Sequence, residues 1–280
     1  MENVTLNNGT KIPQLGLGVF LVEDKNDLRH SIEYALADGY RHFDTAAIYH
    51  NEAGVGEALA ASDVKRSDLF ITSKLWDSVQ TYDDTITAFK ASLQRLQTDY
   101  LDLYLIHWPS AGYNEKWRAM EDLYNDGLIK AIGVSNFEQP QMDQLLTTAK
   151  ITPAVDQIET HPYFQQTQLH EYLANLGIAH EAWGPLGQGK GGVLKDPVLN
   201  EIATAHNKSV AQVILRWHIQ RGIIVIPKSI HQARVAENID VFDFELTDAQ
   251  MTAIAGIDKH QRGSEDPNDE AWLKRSLTMN

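Results

Sequence analysis

Short apolar runs alternate along the chain with longer stretches in which apolar residues recur every three or four positions. The runs that read as strands are 16–18 (the weakest), 40–43, 69–72, 101–106, 129–134, 154–158, 177–182 and 222–226. In Thr81–Gln97 the residues Tyr82, Ile86, Phe89, Leu93 and Leu96 form one apolar stripe with a polar back, which predicts an amphipathic helix. Ser209–Gln220 behaves likewise: Val210, Val213, Ile214 and Trp217 share a face, Ser209 can cap the start, and Gly222 follows the end. Ahead of all this, VTLNNGTKIPQL sets two extended pieces around Asn7-Asn8-Gly9, a residue set suited to a tight hairpin turn. Short, fully apolar strands alternating with helices argue for a parallel sheet covered by helices. Eight such strands in a chain of this length predict a single eight-stranded parallel (β/α) TIM barrel of α/β class, with an N-terminal β-hairpin. The segment after Ile257, around Asp266–Trp272, matches no clear pattern; it is expected to form a C-terminal loop over the barrel rim.

Composition narrows the function. The 280 residues hold 24 Lys plus Arg against 38 Asp plus Glu, a net charge of −14, and no cysteine. Disulfides, thiolate nucleophiles and zinc–thiolate sites are therefore excluded. The acidic balance opposes a nucleic-acid partner, while a local basic pocket can still hold a small phosphate. The N-terminus lacks a signal-peptide pattern and no apolar run is long enough to span a bilayer, so a cytoplasmic protein without membrane attachment is expected. No linker-like tract interrupts residues 1–280, which reads as one domain.

In such a barrel the loops after the strands form one face, so polar residues at strand ends converge there. Successive strands here run into Asp44 and Tyr49, Lys74, and His107. A strand end is often polar simply because it meets water, but this quartet is chemically coherent. A lysine ammonium about 4 Å from a phenol, at an effective dielectric of about 20, favours the phenolate by roughly 4 kcal/mol. That predicts a Tyr49 pKa lowered by up to about 3 units, toward neutrality. Asp44 would keep Lys74 charged, and a neutral His107 could aim a carbonyl oxygen at the tyrosine. The set suits protonation of an oxygen as a carbonyl becomes an alcohol, which requires a separate hydride source.

The stretches GYRHFDTAAIYHNEAGVGEAL, LFITSKLW, LDLYLIHWP, IKAIGVSNF, VDQIETHPYF, AWGPLGQG and IPKS, followed by ARVAENIDVFDFEL, resemble the aldo-keto reductase superfamily from about Leu15 to Leu246. The resemblance is to microbial members related to 2,5-diketogluconate reductases. It implies an enzyme that reduces aldehydes or ketones with NADPH, with Tyr49 as general acid, Lys74 and Asp44 tuning it, and His107 orienting the carbonyl. It further implies that Ser135, Asn136 and Gln157 hold the nicotinamide carboxamide and that Trp183 stacks on its ring. The loop Gly184, Pro185, Leu186, Gly187, Gln188 and onward to Gly192 would bring backbone amides to the pyrophosphate. It contains Gly187-x-Gly189-x-x-Gly192, but a dinucleotide fingerprint needs an opening βαβ unit and an acid about 20 residues on at a strand end. This one lies late in the chain, and Glu201 falls in a predicted helix.

Lys228, Ser229 and Arg234 suit the adenosine 2′-phosphate that distinguishes NADPH from NADH. Glu237 and Asn238 match adenine-contacting positions of the family, although Arg234 and Glu237 could also be an ordinary helix-surface pair. Phe20, Trp76 and Trp108 stand where the family walls its substrate pocket. Two departures stand out: His50 replaces a frequent Gly after the tyrosine, and Asp156 replaces a frequent Asn, which would put a negative charge near the carboxamide. No metal spacing links the remaining histidines. Other readings are a catalytically weak NADPH-binding regulatory subunit and an aldolase forming a Schiff base on Lys74. The expected partner is a small-molecule carbonyl substrate, with the chain acting as a monomer.

Overall fold

A computed structural model describes residues 2–279 of the chain. The hairpin pairs β1 (Asn3–Thr5) with β2 (Lys11–Pro13) in antiparallel register, Val4 opposite Ile12. Eight parallel strands follow: β3 (Leu17–Gly18), β4 (His42–Asp44), β5 (Phe70–Leu75), β6 (Leu103–Ile106), β7 (Ile132–Ser135), β8 (Val155–Glu159), β9 (Ala179–Trp183) and β10 (Ile224–Val225). They are ordered in the sheet as in the sequence, from β3 to β10, and the sheet curls on itself. Its two end strands also meet: Gly16 N donates to Val225 O at 2.8 Å, Val225 N to Gln14 O at 2.9 Å, and Gly18 N to Pro227 O at 3.2 Å.

Helices α1 (Lys25–Ala37), α2 (Glu52–Ala60), α3 (Tyr82–Leu96), α4 (Tyr113–Asn125), α5 (Gln139–Leu146), α6 (Thr167–Asn175), α7 (Pro197–His206), α8 (Val210–Gln220) and α9 (Gln232–Ile239) fill the crossovers and follow β10. Beyond them lie α10 (Asp248–Ala255) and α11 (Glu270–Ser276). The two helices read from periodicity form within a residue of their expected ends. Ser209 accepts from Gln212 N while the Gln212 side chain returns to Ser209 N, a capping box, and Gly222 past the end adopts φ +74°.

The apolar runs begin before the hydrogen-bonded strands do. Tyr40, Leu69, Leu101 and Ile129 are buried but precede β4, β5, β6 and β7, because the loops returning from the helices also tuck apolar side chains inward. Tyr40 illustrates this: its hydroxyl donates to Val235 O of α9 at 2.9 Å. The hairpin caps the opposite end from the strand C-termini. Leu6 and Ile12 pack with Phe70, Leu103, Val155 and Ile224, while Asn7 and Asn8 donate to the carbonyls of Pro153 and Lys130. That hydrophobic layer closes the base of the sheet, so chemistry is confined to the other end.

Two glycines allow the tight meeting of β3 with its neighbours. A Cβ at Gly16 would lie 2.6 Å from His42 Nδ1, and one at Gly18 would lie 2.8 Å from the backbone oxygen of Ile226. A backbone atom cannot step aside as a side-chain tip can. Gly18→Ala is therefore expected to lower unfolding free energy in urea by about 1–3 kcal/mol, the usual cost of overpacking. Undiminished stability would contradict the close approach of these strands.

Candidate active site

The end of β4 turns through a single 3₁₀ turn, Ala47–Tyr49, which lifts Tyr49 over the strand ends. His50, which closes that turn, sits at φ +54°, the left-handed region that glycine adopts without strain. This explains why a glycine suits that position; His50 is exposed on the rim.

Period-two alternation decides which side chains point into the sheet. Asp44 on β4 and Lys74 on β5 both point inward and are buried, and Lys74 Nζ donates to Asp44 Oδ1 at 2.5 Å and to Thr45 O at 3.0 Å. Gln157 Nε2 on β8 donates to the other Asp44 oxygen at 2.8 Å. The same ammonium lies 5.2 Å from the centre of the Tyr49 ring. His107, just past β6, meets Tyr49 edge-on with ring centres 5.7 Å apart. Four side chains from three strand ends therefore gather as the sequence predicts.

Their electrostatics differ from the expectation in one respect. Burial pushes the Tyr49 hydroxyl above its ordinary value of 10.0; Lys74 pulls it back and Asp44 pushes it up. The lowered pKa predicted from the Lys74 charge alone is corrected: loss of solvation outweighs the ammonium. Tyr49 is thus protonated throughout the neutral range. For Lys74, burial works against the charge, but Asp44, Tyr49 and Glu181 outweigh it and hold the ammonium above its ordinary value. Burial, with help from the Lys74 and Lys116 charges, drives His107 well below 6.5, so the imidazole is neutral.

The expected cofactor residues form a braced shelf beside this group. Ser135 Oγ donates to Gln157 O at 2.7 Å, and Asn136 Nδ2 donates to His107 O at 3.0 Å. Asn136 Oδ1 accepts from Trp183 Nε1 at 2.9 Å, which fixes the half-buried indole at the end of β9. Gln157, expected to grip a carboxamide, has its amide nitrogen committed to Asp44. Asp156 is corrected outright. Val155 packs in the basal core and Gln157 faces Asp44, so alternation turns Asp156 to the helix side, where burial raises its carboxyl well above 3.8. Its side chain is turned away from the shelf.

After Trp183, the loop through Gly184, Pro185, Leu186, Gly187 and Gln188 is held open by positive φ at Gly184, Gly187, Gln188, Gly189, Gly191 and Gly192. Glu201 lies within α7, as the rejection of a dinucleotide fingerprint requires. After β10, Ser229 is buried and its Oγ accepts from His231 N at 3.1 Å, while Lys228 and Arg234 are exposed. Among the described residues neither Lys228 nor Arg234 forms an ion pair, so Arg234 is not simply balanced by Glu237. Asn238 is buried on the inner side of α9. An anchored aromatic ring, a glycine-rich loop and two cations without an ion pair fit a dinucleotide bearing an extra phosphate.

Aromatic rings wall the mouth. Phe20 is 44% exposed with its ring 4.9 Å from Tyr49, and Trp76 meets His107 edge-on at 5.0 Å. Trp108 packs against Trp272 of α11 at 5.3 Å, and Trp76 Nε1 donates to Met279 O at 2.9 Å. Trp272 was not legible as a pocket residue.

Two buried ionisable groups were missed as well. Glu181 on β9 is fully buried beside Asp44 and Lys74, and Lys116 on α4 is buried with Nζ 3.0 Å from Ser110 Oγ and 3.4 Å from Asp77 O. An acid within the apolar run 177–182 was the available signal for Glu181. Nothing in the spacing of Asp77 and Lys116 marked them.

Residues 14–259 match the model of the Aldo/keto reductase family, and the chain belongs to that family. It is similar to the glyoxal reductase of Bacillus subtilis (strain 168), 51% identical over 96% of this chain and 97% of the relative. Its fold is similar to that of an aldo-keto reductase from a Medee basin deep-sea metagenome library, with a TM-score of 0.92 and 41% identity over 95% of this chain and 98% of the other. A Bombyx mori aldo-keto reductase in complex with NADP gives a TM-score of 0.89 and 38% identity, covering 94% of this chain and 95% of the other.

The Lys74–Asp44 pair is buried on both sides, so removing one partner strands a charge. Lys74→Met is expected to destabilise the fold by about 3–5 kcal/mol in urea unfolding, with the Asp44→Asn/Lys74→Met double variant regaining much of the loss. A single variant as stable as the parent would show that the pair is not a dry one.

Proposed function

We propose that Tyr49 is the general acid of an NADPH-dependent carbonyl reductase, with Lys74 and Asp44 as its electrostatic support and His107 as the group that orients the carbonyl. The observation that carries this is the Asp44–Lys74 contact of 2.5 Å under the Tyr49 ring, with neutral His107 beside it. Bound NADPH supplies a hydride to the carbonyl carbon. The chain's residues do the rest. Neutral His107 donates a hydrogen bond to the carbonyl oxygen and aims it at Tyr49. Tyr49 transfers its proton to that oxygen as negative charge develops there. The phenolate left behind faces Lys74, whose positive charge lowers the cost of the transfer. Asp44 holds Lys74 charged, and Gln157 holds Asp44.

Trp183 offers a face to the nicotinamide, Ser135, Asn136 and Gln157 line its carboxamide edge, and the loop from Gly184 to Gln188 faces the pyrophosphate. Lys228, Ser229 and Arg234 take the 2′-phosphate, with Glu237 and Asn238 toward the adenine. A Schiff-base role for Lys74 is disfavoured, since an ammonium paired with Asp44 keeps its proton and has no lone pair to attack a carbonyl. A regulatory subunit would have no need of the full quartet.

The same reading takes the chain as one domain in which the bonds from Gly16 and Gly18 to Val225 and Pro227 close the sheet into a barrel. The C-terminal segment lies over the rim: Arg262 pairs with Glu138 at 2.6 Å and Trp272 meets Trp108. Every proposed role falls to this chain's own residues, which suits a monomer. The aromatic mouth of Phe20, Trp76 and Trp108 suits small aldehydes, and glyoxal, named for the Bacillus subtilis relative, is the first to assay.

Tyr49→Phe removes the proton donor alone, so carbonyl reduction should fall by about 10²–10⁴ while NADPH affinity is kept. Stopped-flow reduction and cofactor fluorescence titration check the two halves; a variant with half the parent rate refutes the role. Arg234→Ala should weaken NADPH binding at least about tenfold with little effect on NADH, as loss of a charge-assisted phosphate contact does. An unchanged ratio of the two affinities refutes the phosphate site.

A further inference from the structure

Beneath the proposed proton donor lies a carboxyl group that the reaction as described does not use. Alternation along β9 turns His180 outward to Thr160, and Glu181 inward, opposite Gln157 on β8 and Ile224 on β10. Glu181 is fully buried, and neither of its carboxyl oxygens has a hydrogen-bond partner. His42 Nε2 on β4 lies 3.6 Å from Oε1, beyond hydrogen-bond reach.

His42 offers Glu181 no compensating charge. Its Nδ1 faces the carbonyl oxygen of Pro13 at 3.3 Å, and a carbonyl can only accept, so Nδ1 carries the hydrogen. Burial brings His42 down to about 3, so the ring is neutral, and the Thr72 hydroxyl donates to Nε2 at 3.3 Å. A carboxylate here would be buried without a hydrogen bond and beside the negative Asp44. A carboxylic acid in the same place has no charge to solvate. The groups facing Glu181 are His42 and Asp44 on β4, Lys74 on β5 and the Gln157 amide on β8, while β10 contributes apolar Ile224.

The charge balance follows. Lys74 and Asp44 cancel, so when Tyr49 gives up its proton the buried layer carries one negative charge. An ionised Glu181 would make it two, in a place without water to screen them.

We propose that Glu181 is a positioning residue for the proton donor: Tyr49 gives up its proton readily only while the Glu181 carboxyl keeps its own, and ionisation of Glu181 sets the alkaline limit of carbonyl reduction. The inference rests on the reading of Tyr49 as general acid. Burial, reinforced by Asp44, pushes Glu181 up to about 8. Tyr49 lies above 10.0 and His107 well below 6.5, so neither changes charge in that interval. As pH rises through about 8, Glu181 becomes negative, Tyr49 becomes a weaker acid, and reduction slows. Lys116, which burial brings down to about 8 as well, is the competing source of such a limit.

The experiment is single-turnover reduction of an aromatic aldehyde by the NADPH-loaded enzyme across the neutral and alkaline range. A group titrating near 8 whose ionised form is inactive costs about tenfold in rate between pH 7 and pH 9. The parent is expected to show that fall, Glu181→Gln to be flat, and Lys116→Met to keep it. A fall that persists in Glu181→Gln, or disappears in Lys116→Met, overturns the proposal. An infrared difference spectrum of the parent between acid and alkaline pH gives a second reading that does not depend on how the variant turns over. It should show loss of a protonated-carboxyl band that the Glu181→Gln spectrum lacks; a Glu181 already ionised at pH 6 overturns the proposal. Failure of the donor reading looks different, because Tyr49→Phe then keeps its rate and the proposal falls with it. An inactive Tyr49→Phe beside an unchanged Glu181→Gln profile sinks Glu181 alone.

Discussion

A single ion pair, Lys74 with Asp44, sits where the sheet has no water to solvate it, and the arrangement of the site follows from accommodating it. Two charges taken from water cost several kcal/mol each unless geometry and further hydrogen bonds repay them. The repayment is visible: Lys74 bonds to both Asp44 and the Thr45 carbonyl, and Gln157 satisfies the second Asp44 oxygen. Held by these bonds, the ammonium lies 5.2 Å from the centre of the Tyr49 ring, where the proposed proton transfer would use it. Strand pairing holds the register: Asp44 lies opposite Thr72, and Lys74 opposite Leu105.

The surrounding structure keeps that pair dry on one side and useful on the other. Below it, the hairpin residues Leu6 and Ile12 close the base with Phe70, Leu103 and Ile224. Above it, Phe20 and Trp76 bring rings to Tyr49 and His107, while Trp108 meets Trp272 of α11. Beside it, Trp183 is tethered through Asn136 to the His107 carbonyl, which links the proposed cofactor shelf to the residue proposed to orient the carbonyl. Within the layer itself, neutral His42 and the Glu181 carboxyl add polar groups without adding charge so long as Glu181 keeps its proton.

Much of this was legible from the chain. Hydrophobic runs located eight strands, Asn7-Asn8-Gly9 marked the hairpin, and reading the residue after each strand found Asp44, Tyr49, Lys74 and His107. What failed did so for identifiable reasons. Strand starts came out too early at Tyr40, Leu69, Leu101 and Ile129, since a buried apolar residue in a returning loop looks like a strand residue. The acidity of Tyr49 was misjudged because a Coulomb attraction was weighed without the desolvation that comes with the same burial. Asp156 was placed on the wrong face although alternation from Gln157 already turned it outward. Glu181 was passed over inside an apolar run, and Trp272 could not be assigned because only the fold brings the C-terminal helix to Trp108.

The claim that a desolvated Lys74 charge governs the Tyr49 proton is tested most directly by titrating that phenol. Ultraviolet difference spectra between the parent and Tyr49→Phe isolate its ionisation, and the same pair can be made in a Lys74→Met background. The account predicts that Tyr49 ionises above pH 10 in the parent and higher still once the ammonium is gone. A Tyr49 titration that stays put, or moves downward, without Lys74 would contradict it.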